Sequence, residues 1–149
     1  MSSEPRMRLS DQLCFAVYAC YREICRMYRP ILDKLDLTYP QYLVLLALWE
    51  HEKLTIKELG NHLQLDSGTL TPMLKRMESS DLVVRNRCPE DERRVWITLT
   101  EKAKHLEENV ACIPNTLIAK SGISKDEFLE LREQVKKLQT HLHQMNEKM

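Results

Sequence analysis

Between Lys53 and Leu99 the spacing of apolar residues changes once, and the change falls at Leu82. Before it, Ile56, Leu59 and Leu63 recur at helical intervals behind Thr55 and Glu58, and Leu70, Leu74 and Met77 do so behind Asp66 and Ser67. A threonine followed three residues on by a glutamate is a capping box, and an aspartate or serine ahead of an apolar-periodic run is an N-cap, so two short helices start here. After it, Leu82, Val84, Val95, Ile97 and Leu99 alternate with Val83, Arg85, Arg87, Arg94, Trp96 and Thr98. A period of two marks half-buried strands and predicts a hairpin around NRCPEDERR, residues 86–94. The pattern as a whole is a helix-turn-helix followed by a wing.

With the inner faces committed to packing, function has to lie outside. Ser67, Gly68, Thr69, Thr71, Lys75 and Arg76 are the leading and outward residues of the second short helix. Glycine and small hydroxyl side chains allow a close approach and offer hydrogen bonds to phosphates and base edges, and Lys75 and Arg76 add charge. Pro72 in the same helix is expected near enough its start to be tolerated. At the wing tip, Asp91 is placed to hold an arginine, and arginine on a wing suits a narrow minor groove. The formal net charge is zero. That speaks against a uniformly basic surface, but the footprint that matters for double-stranded DNA is local.

The first long helix is predicted from a cap at Ser10 to about Leu35, disturbed near its end by Pro30. Its positions fall into two stripes. Leu13, Val17, Cys20, Ile24 and Met27 form an apolar one, and Cys14, Tyr18, Tyr21, Cys25 and Tyr28 lie beside it in an arc of roughly 80°. Thr38-Tyr39-Pro40 opens a second helix whose run YLVLLALW, residues 42–49, is too continuous for a surface position. All five tyrosines lie between positions 18 and 42, which suggests a half-polar pocket near the cysteines. Five cysteines without a C-x-x-C pair argue against a disulfide framework and against structural zinc. Cys14 and Cys25 are about 16 Å apart along a helix axis and Cys20 and Cys25 about 7.5 Å, so no bridge closes within the helix. The histidines at 51, 62, 105, 141 and 143 show no ligand spacing, and no metal or cofactor is expected.

Thr100 caps the helix that follows the wing, which Pro114 kinks or interrupts, and Ser124 with Glu127 makes another capping box. Phe128, Leu131, Val135, Leu138, Leu142 and Met145 then repeat at intervals of three and four, the seam of a helix that packs on helices. Together with the first helix this is more apolar face than one helix-turn-helix can cover, which points to a homodimer; packing within the chain is the alternative. Three glycines in 149 residues leave little material for tight turns. The expected fold is therefore mainly α: a winged helix-turn-helix with a two-stranded β wing, the N- and C-terminal helices forming a dimerisation region. We expect a single domain over 1–149, with dimerisation helices at 8–36 and 101–148 around a DNA-binding region at 37–100. No apolar run reaches the roughly 18 residues of a membrane span, and MSSEPRMRLS lacks a signal-peptide core, so no membrane partner and a cytoplasmic location are expected.

This order of elements resembles the MarR family of winged-helix regulators, and DERRVWITLTEKA, residues 91–103, is similar to that family's wing pattern. Within the family, QLCFAVYA (12–19), LTYPQYLVLLALWE (37–50) and LDSGTLTPMLKRME (65–78) resemble the organic-hydroperoxide-resistance repressor (OhrR) subgroup. The resemblance implies a homodimer on a pseudo-palindromic operator, with the helix from about Ser67 in the major groove and the wing in the minor groove. It assigns DNA contacts to Asp66, Ser67, Thr69, Thr71 and Arg76, and minor-groove entry to Arg93 steadied by Asp91. It makes Cys14 the thiol that reacts with organic hydroperoxide, with Tyr28 and Tyr39 reaching it across the dimer interface and Tyr18 lining the same pocket.

The chemistry is coherent. A thiolate attacks a peroxide to give a sulfenic acid, which a second thiol traps as a disulfide. A helix N-terminus and hydroxyl donors favour the reactive thiolate, and Cys14 is expected just past its helix's first turn. Cys20 is expected in the core, Cys25 either lines the pocket or is a second reactive thiol, Cys88 is expected to be exposed, and Cys112 is a possible partner thiol. The favoured expectation is a one-cysteine mechanism completed by a low-molecular-weight thiol. The resulting reading is a transcriptional repressor, not an enzyme, released from its operator when Cys14 is oxidised. Its rivals are a MarR-type regulator gated by a small aromatic or phenolic ligand, a nonspecific architectural DNA binder, and a thiol peroxidase. For the last, the sequence offers no recycling cysteine pair and no catalytic histidine arrangement.

Overall fold

A computed structural model describes residues 7–149, so the N-terminal string read for a leader lies largely outside the described residues. The chain divides into two compact units, one ending at Ala111 and the other beginning at Cys112. Among the described residues no helix is long and apolar enough to cross a membrane.

The first unit is built around its second helix. Helix α1 spans Leu13–Lys34 and α2 spans Tyr39–His51. Thr38 caps α2: its hydroxyl accepts the Gln41 N–H at 3.3 Å while the Gln41 side chain accepts the Thr38 N–H at 3.1 Å. Pro40 occupies the first turn, where a missing N–H costs nothing. Val44, Leu45 and Leu48 have no exposed surface. They are buried because α2 packs against α1, β1 (Lys53–Thr55), α3 (Ile56–Leu63), β3 (Asp91–Leu99) and α5 (Glu101–Val110). The Trp49 indole N–H donates to the Ala103 carbonyl at 3.0 Å and ties α2 to α5.

Thr55 and Glu58 form the expected capping box at the start of α3. The turn into α4 (Ser67–Ser79) is closed by the Leu65 N–H on the Gly60 carbonyl at 2.9 Å, with Gln64 in the left-handed region at φ 57°. The approach is so close that a Cβ on Gly60 would sit 2.6 Å from the Leu65 carbonyl oxygen. Asp66 caps α4, accepting the Thr69 N–H at 2.7 Å, and Leu70, Met73, Leu74 and Met77 point inward. Pro72 departs from expectation. It lies five residues past Ser67, beyond the first turn, where it denies the Gly68 carbonyl its usual donor.

The wing holds two further differences. The sheet has three strands in the order β1-β3-β2, with β2 at Val83–Cys88, rather than two. Strand β1 pairs Lys53 with Thr98, Leu54 with Ile97 and Thr55 with Trp96, and is too short for periodicity to reveal it. The phase of the first wing strand is also shifted by one residue. Val83 pairs with Leu99 and Arg85 with Ile97, so Val83 is buried and Val84 is 40 % exposed. The cause lies in the exit from α4: Asp81 takes φ 60° and the Leu82 N–H bonds the Met77 carbonyl at 2.9 Å. Leu82 is therefore buried as part of the helix end, and the strand alternation begins one residue later. Only Pro89 and Glu90 separate the two wing strands.

Helix α1 begins differently from expectation. Ser10 belongs to a short 3-10 turn, Leu9–Asp11, and Gln12 is the N-cap with no side-chain cap bond. Cys14 is thus inside the first turn of α1 and not just past it. Pro30 sits within α1 without ending it. Leu13, Val17 and Cys20 are exposed, so Cys20 is not a core residue; the buried part of α1 starts only further along, at Leu32. Thr100 caps α5 as expected, and the helix that Pro114 was expected to disturb is interrupted, resuming as α6 (Ile113–Lys120).

In the second unit, Ser124 caps α7 (Lys125–Glu147) by accepting the Glu127 N–H at 3.1 Å, and its own hydroxyl donates to the Glu127 carboxylate. No residue of α7 is buried. Leu131, Val135, Leu142 and Met145 are each at least half exposed.

Because the α3–α4 turn has no room for a side chain at position 60, Gly60→Ala should destabilise the protein by about 1–3 kcal/mol. Chemical denaturation at matched protein concentration measures this, and an unchanged midpoint would show that the backbone contact yields.

Candidate nucleic-acid interface and thiol site

Capping at both ends of the α3–α4 turn fixes the direction of α4, and its leading face stands clear of the unit. Ser67, Gly68, Thr69, Lys75 and Arg76 are exposed and Thr71 is half-buried. The Asp66 carboxyl is held below the usual carboxylate range, chiefly by the Thr69 N–H that it accepts. It therefore stays charged and orients the helix start, where free N–H groups favour anions. A cleft of about 640 Å³ opens here, lined among others by Thr55, Ser67, Thr71, Arg93 and Arg94. It joins the α4 N-terminus to the wing in one concave surface.

Asp91 and Arg93 meet as the sequence suggested. The Arg93 N–H donates to Asp91 Oδ1 at 3.0 Å and the guanidinium Nε lies 3.6 Å from the same oxygen. The Arg93 side chain is 95 % exposed, so the ion pair orients it without hiding it. Sequence reading did not single out Lys53, whose ammonium lies 4.3 Å from the Trp96 ring centroid, with the Arg94 guanidinium at 5.4 Å. Those contacts pack the base of the wing against β1.

Four of the tyrosines form a contiguous cluster. Tyr39 lies 5.8 Å from Tyr21 and 5.7 Å from Tyr28 between ring centroids, and Tyr42 lies 6.1 Å from Tyr28 and 6.2 Å from Tyr39. Burial pushes the Tyr28 phenol up to about 12 and also raises Tyr39, while Tyr21 is raised first by its hydrogen bond with Cys25. Tyr18 is not part of this cluster; its ring carries the Arg22 guanidinium at 5.7 Å.

Within one chain the thiol among the tyrosines is Cys25, half-buried, whereas Cys14 is exposed about three turns earlier on α1. Cys88 is half-buried and not fully exposed, and the backbone N–H groups of Glu90 and Asp91 hold its thiol below the ordinary range. Cys112 is exposed. The histidines scattered in sequence are not all scattered in space: His51 and His62 stack with centroids 4.4 Å apart. Position in the sequence carried no signal of that pairing, because α2 and α3 meet only after folding.

A family model described as "Transcriptional regulator SarA/Rot" matches residues 26–110. The chain belongs to this family of winged-helix transcriptional regulators. A relative from Bacillus subtilis strain 168, the organic hydroperoxide resistance transcriptional regulator, is 52 % identical over 94 % of this chain and 95 % of its own. Among solved structures, reduced AbfR bound to DNA matches with a TM-score of 0.79 and 40 % identity, over 91 % of this chain and 95 % of that one. Disulfide-formed AbfR matches with a TM-score of 0.62 and 42 % identity, over 89 % and 93 % of the two chains. AbfR has been solved from Staphylococcus epidermidis. This regulator thus shares the fold and the subgroup that its sequence motifs suggested, and it is not an enzyme, which sets the peroxidase alternative aside.

The tyrosine cluster makes a titration prediction for the regulator. The folded state favours protonated Tyr28, so this contribution is fully present below the unfolded value of 10 and is lost as pH rises through about 12. Absorbance titration should show a late phenol step near the top of that window that Tyr28→Phe removes. Coincident ionisation of every tyrosine at the ordinary value would refute the buried cluster.

Proposed function

We propose that this regulator is a homodimeric repressor that binds a pseudo-palindromic operator when reduced and leaves it when Cys14 is oxidised by an organic hydroperoxide. The observation that carries the reading is the placement of an exposed thiol in the first turn of a helix whose apolar residues lack cover. Leu13 and Val17 on α1 are 63 % and 47 % exposed beside Cys14. Burying such residues against a second copy stabilises by about 1.5–3 kcal/mol for each large side chain, so the thiol belongs to a region that assembly covers. The seam of α7 supplies a second uncovered face of the same kind. Tyr28 and Tyr39, with phenol protons held firmly, are the donors expected to reach the Cys14 sulfur of the second copy, and Tyr18 flanks it.

The DNA-facing roles follow from exposure and chemistry. Ser67, Thr69 and Thr71 offer hydroxyls to phosphates and base edges, Asp66 orients the helix start, and Lys75 and Arg76 supply charge further along. Arg93 enters the minor groove with Asp91 as its brace. A two-fold dimer presents two such surfaces, so the half-sites lie about one turn of DNA apart. Oxidation proceeds through a sulfenic acid on Cys14, which a thiol captures. The relatives named for hydroperoxide resistance and for a disulfide form support this reading of the signal. The cell compartment that suits it is the cytoplasm, where the operator lies.

Fluorescence anisotropy on the gene's own upstream DNA, with cumene hydroperoxide added to the reduced protein, tests the switch. Wild type should lose the operator and Cys14→Ser should keep it. Release of both would remove Cys14 as sensor, and retention by both would turn the search to a small phenolic ligand among the tyrosines. Arg93→Ala should weaken operator binding and lower the slope of log affinity against log salt by about 0.9 for each phosphate that Arg93 neutralises. An unchanged slope and affinity would take Arg93 out of the interface.

A further inference from the structure

We propose that Pro72 is a specificity-determining residue of this regulator: its ring packs on the C5-methyl group of a thymine in the operator half-site and selects that base against the other three. This rests on the reading of α4 as the helix that enters the major groove. It adds a base contact that the charged and hydroxyl residues of α4 do not supply.

Position on the helix is the first ground. Leu70, Met73, Leu74 and Met77 are buried and define the inward side of α4. At about 100° per residue Pro72 lies about 150° from the middle of that set, so it points nearly straight away from the unit. The exposed residues Gly68 and Lys75 lie on one side of it and Thr69 and Arg76 on the other, all within about 60°. Along the axis Pro72 is about 7.5 Å beyond Ser67, still in the N-terminal half of the helix, where groove-binding helices meet base edges. A helix laid in the groove with its buried side on the unit therefore presents Pro72 along its midline, with both cations flanking it.

The fold gives no reason for a proline there. Proline and glycine are the residues an α-helix tolerates least, and α4 holds one of each, four residues apart on its outward side. Pro72 is exposed, and it neither starts nor ends the helix, whose caps are Asp66 and Ser80. It leaves the Gly68 carbonyl without the donor a helix normally supplies. Gly68 is not required by the backbone either. It does not adopt the left-handed region, and a Cβ there would meet Asp66 Oδ1 at 3.4 Å, an ordinary contact, and nothing else within 4 Å. Two choices that weaken the helix thus stand together on the face turned to the operator, where a local rule broken without gain to the fold points to function.

The chemistry of the ring names the base. Pro72 has no N–H, and its side chain carries neither donor nor acceptor, so it offers the groove a rigid hydrocarbon surface. Among the major-groove edges only thymine presents an apolar group, its C5 methyl; guanine shows N7 and O6, adenine N7 and an amino group, cytosine an amino group. Against those polar groups the ring displaces water without replacing its hydrogen bonds, which is unfavourable. Against a methyl it removes apolar surface on both partners from water. The ring also has no rotamer freedom to lose on binding, unlike the long side chains of Lys75 and Arg76. Gly68, one turn earlier and without a side chain, keeps the approach to the ring open on that side.

The test uses reduced full-length protein and fluorescence anisotropy on the gene's own upstream operator. Each thymine of one half-site is replaced in turn by deoxyuridine, which removes the C5 methyl and leaves every hydrogen-bonding group in place. One replacement should weaken wild-type binding about fourfold, the fold-change equivalent to about 0.8 kcal/mol for one buried carbon group, and should weaken Pro72→Ser less than about twofold. Pro72→Ser should also unfold at a higher denaturant concentration than wild type, because serine suits a helix better than proline. A half-site in which no deoxyuridine weakens the wild type overturns the assignment, as does a penalty that persists in Pro72→Ser, which would give the methyl to Thr69 or Thr71. A lower unfolding midpoint, or loss of binding by Pro72→Ser to every duplex, overturns it too, since Pro72 would then serve the helix as a whole. Reduced wild type that does not bind the upstream DNA would instead overturn the operator reading beneath the proposal.

Discussion

The burial of α2 is the constraint on which the rest of the first unit depends. A helix that is apolar on nearly every side cannot face water, and here it is enclosed by α1, α3, α5 and two strands of the sheet. The same helix carries Tyr39 and Tyr42 at its beginning and supports the helix-turn-helix along its flank. The tyrosine cluster and α3, the first helix of the helix-turn-helix, are therefore attached to one close-packed rod. Densely packed interiors move as units and do not deform gradually. Tyr39 and α3 are braced on the same helix, and this is the physical link that the proposed switch would use.

The two faces of the regulator are finished to different degrees by one chain. The side formed by α4 and the wing is complete: α4 is capped, Arg93 is braced by Asp91, and the cleft between helix and wing is formed. The thiol side is open. Cys14 stands on an uncovered stretch of α1 whose leucine and valine side chains are left exposed by their own unit, and Tyr21, Tyr28 and Tyr39 lie near a different cysteine, Cys25. That uncovered apolar face beside an exposed thiol is the observation on which the proposed two-copy sensor rests.

Much of this was legible in the residues. Thr38, Thr55, Asp66 and Thr100 each mark a helix start because a side-chain oxygen at that position satisfies an N–H the helix leaves free, a local rule that needs no tertiary context. The Asp91–Arg93 brace spans two residues and was legible for the same reason. Ser10 failed because a 3-10 turn absorbed it, and the one-residue phase error at Val83 arose because Leu82 is buried by the helix end rather than by the strand. Strand β1 left no periodic trace in three residues. Cys20 was placed in a core because its stripe is apolar, but an apolar stripe states only that cover is needed, not whether the same chain provides it.

The sequence alone determined the order of elements, the winged helix-turn-helix and its outward chemistry, because capping, periodicity and turn composition act over a few residues. Tertiary structure decided what depends on distant segments meeting: that β1 completes the sheet, that His51 stacks on His62, and that Tyr21, Tyr28, Tyr39 and Tyr42 gather into one cluster while Cys14 remains uncovered. Side chains on α1 and α2 come together only because the burial of α2 sets how the two helices pack, and no local pattern encodes that angle.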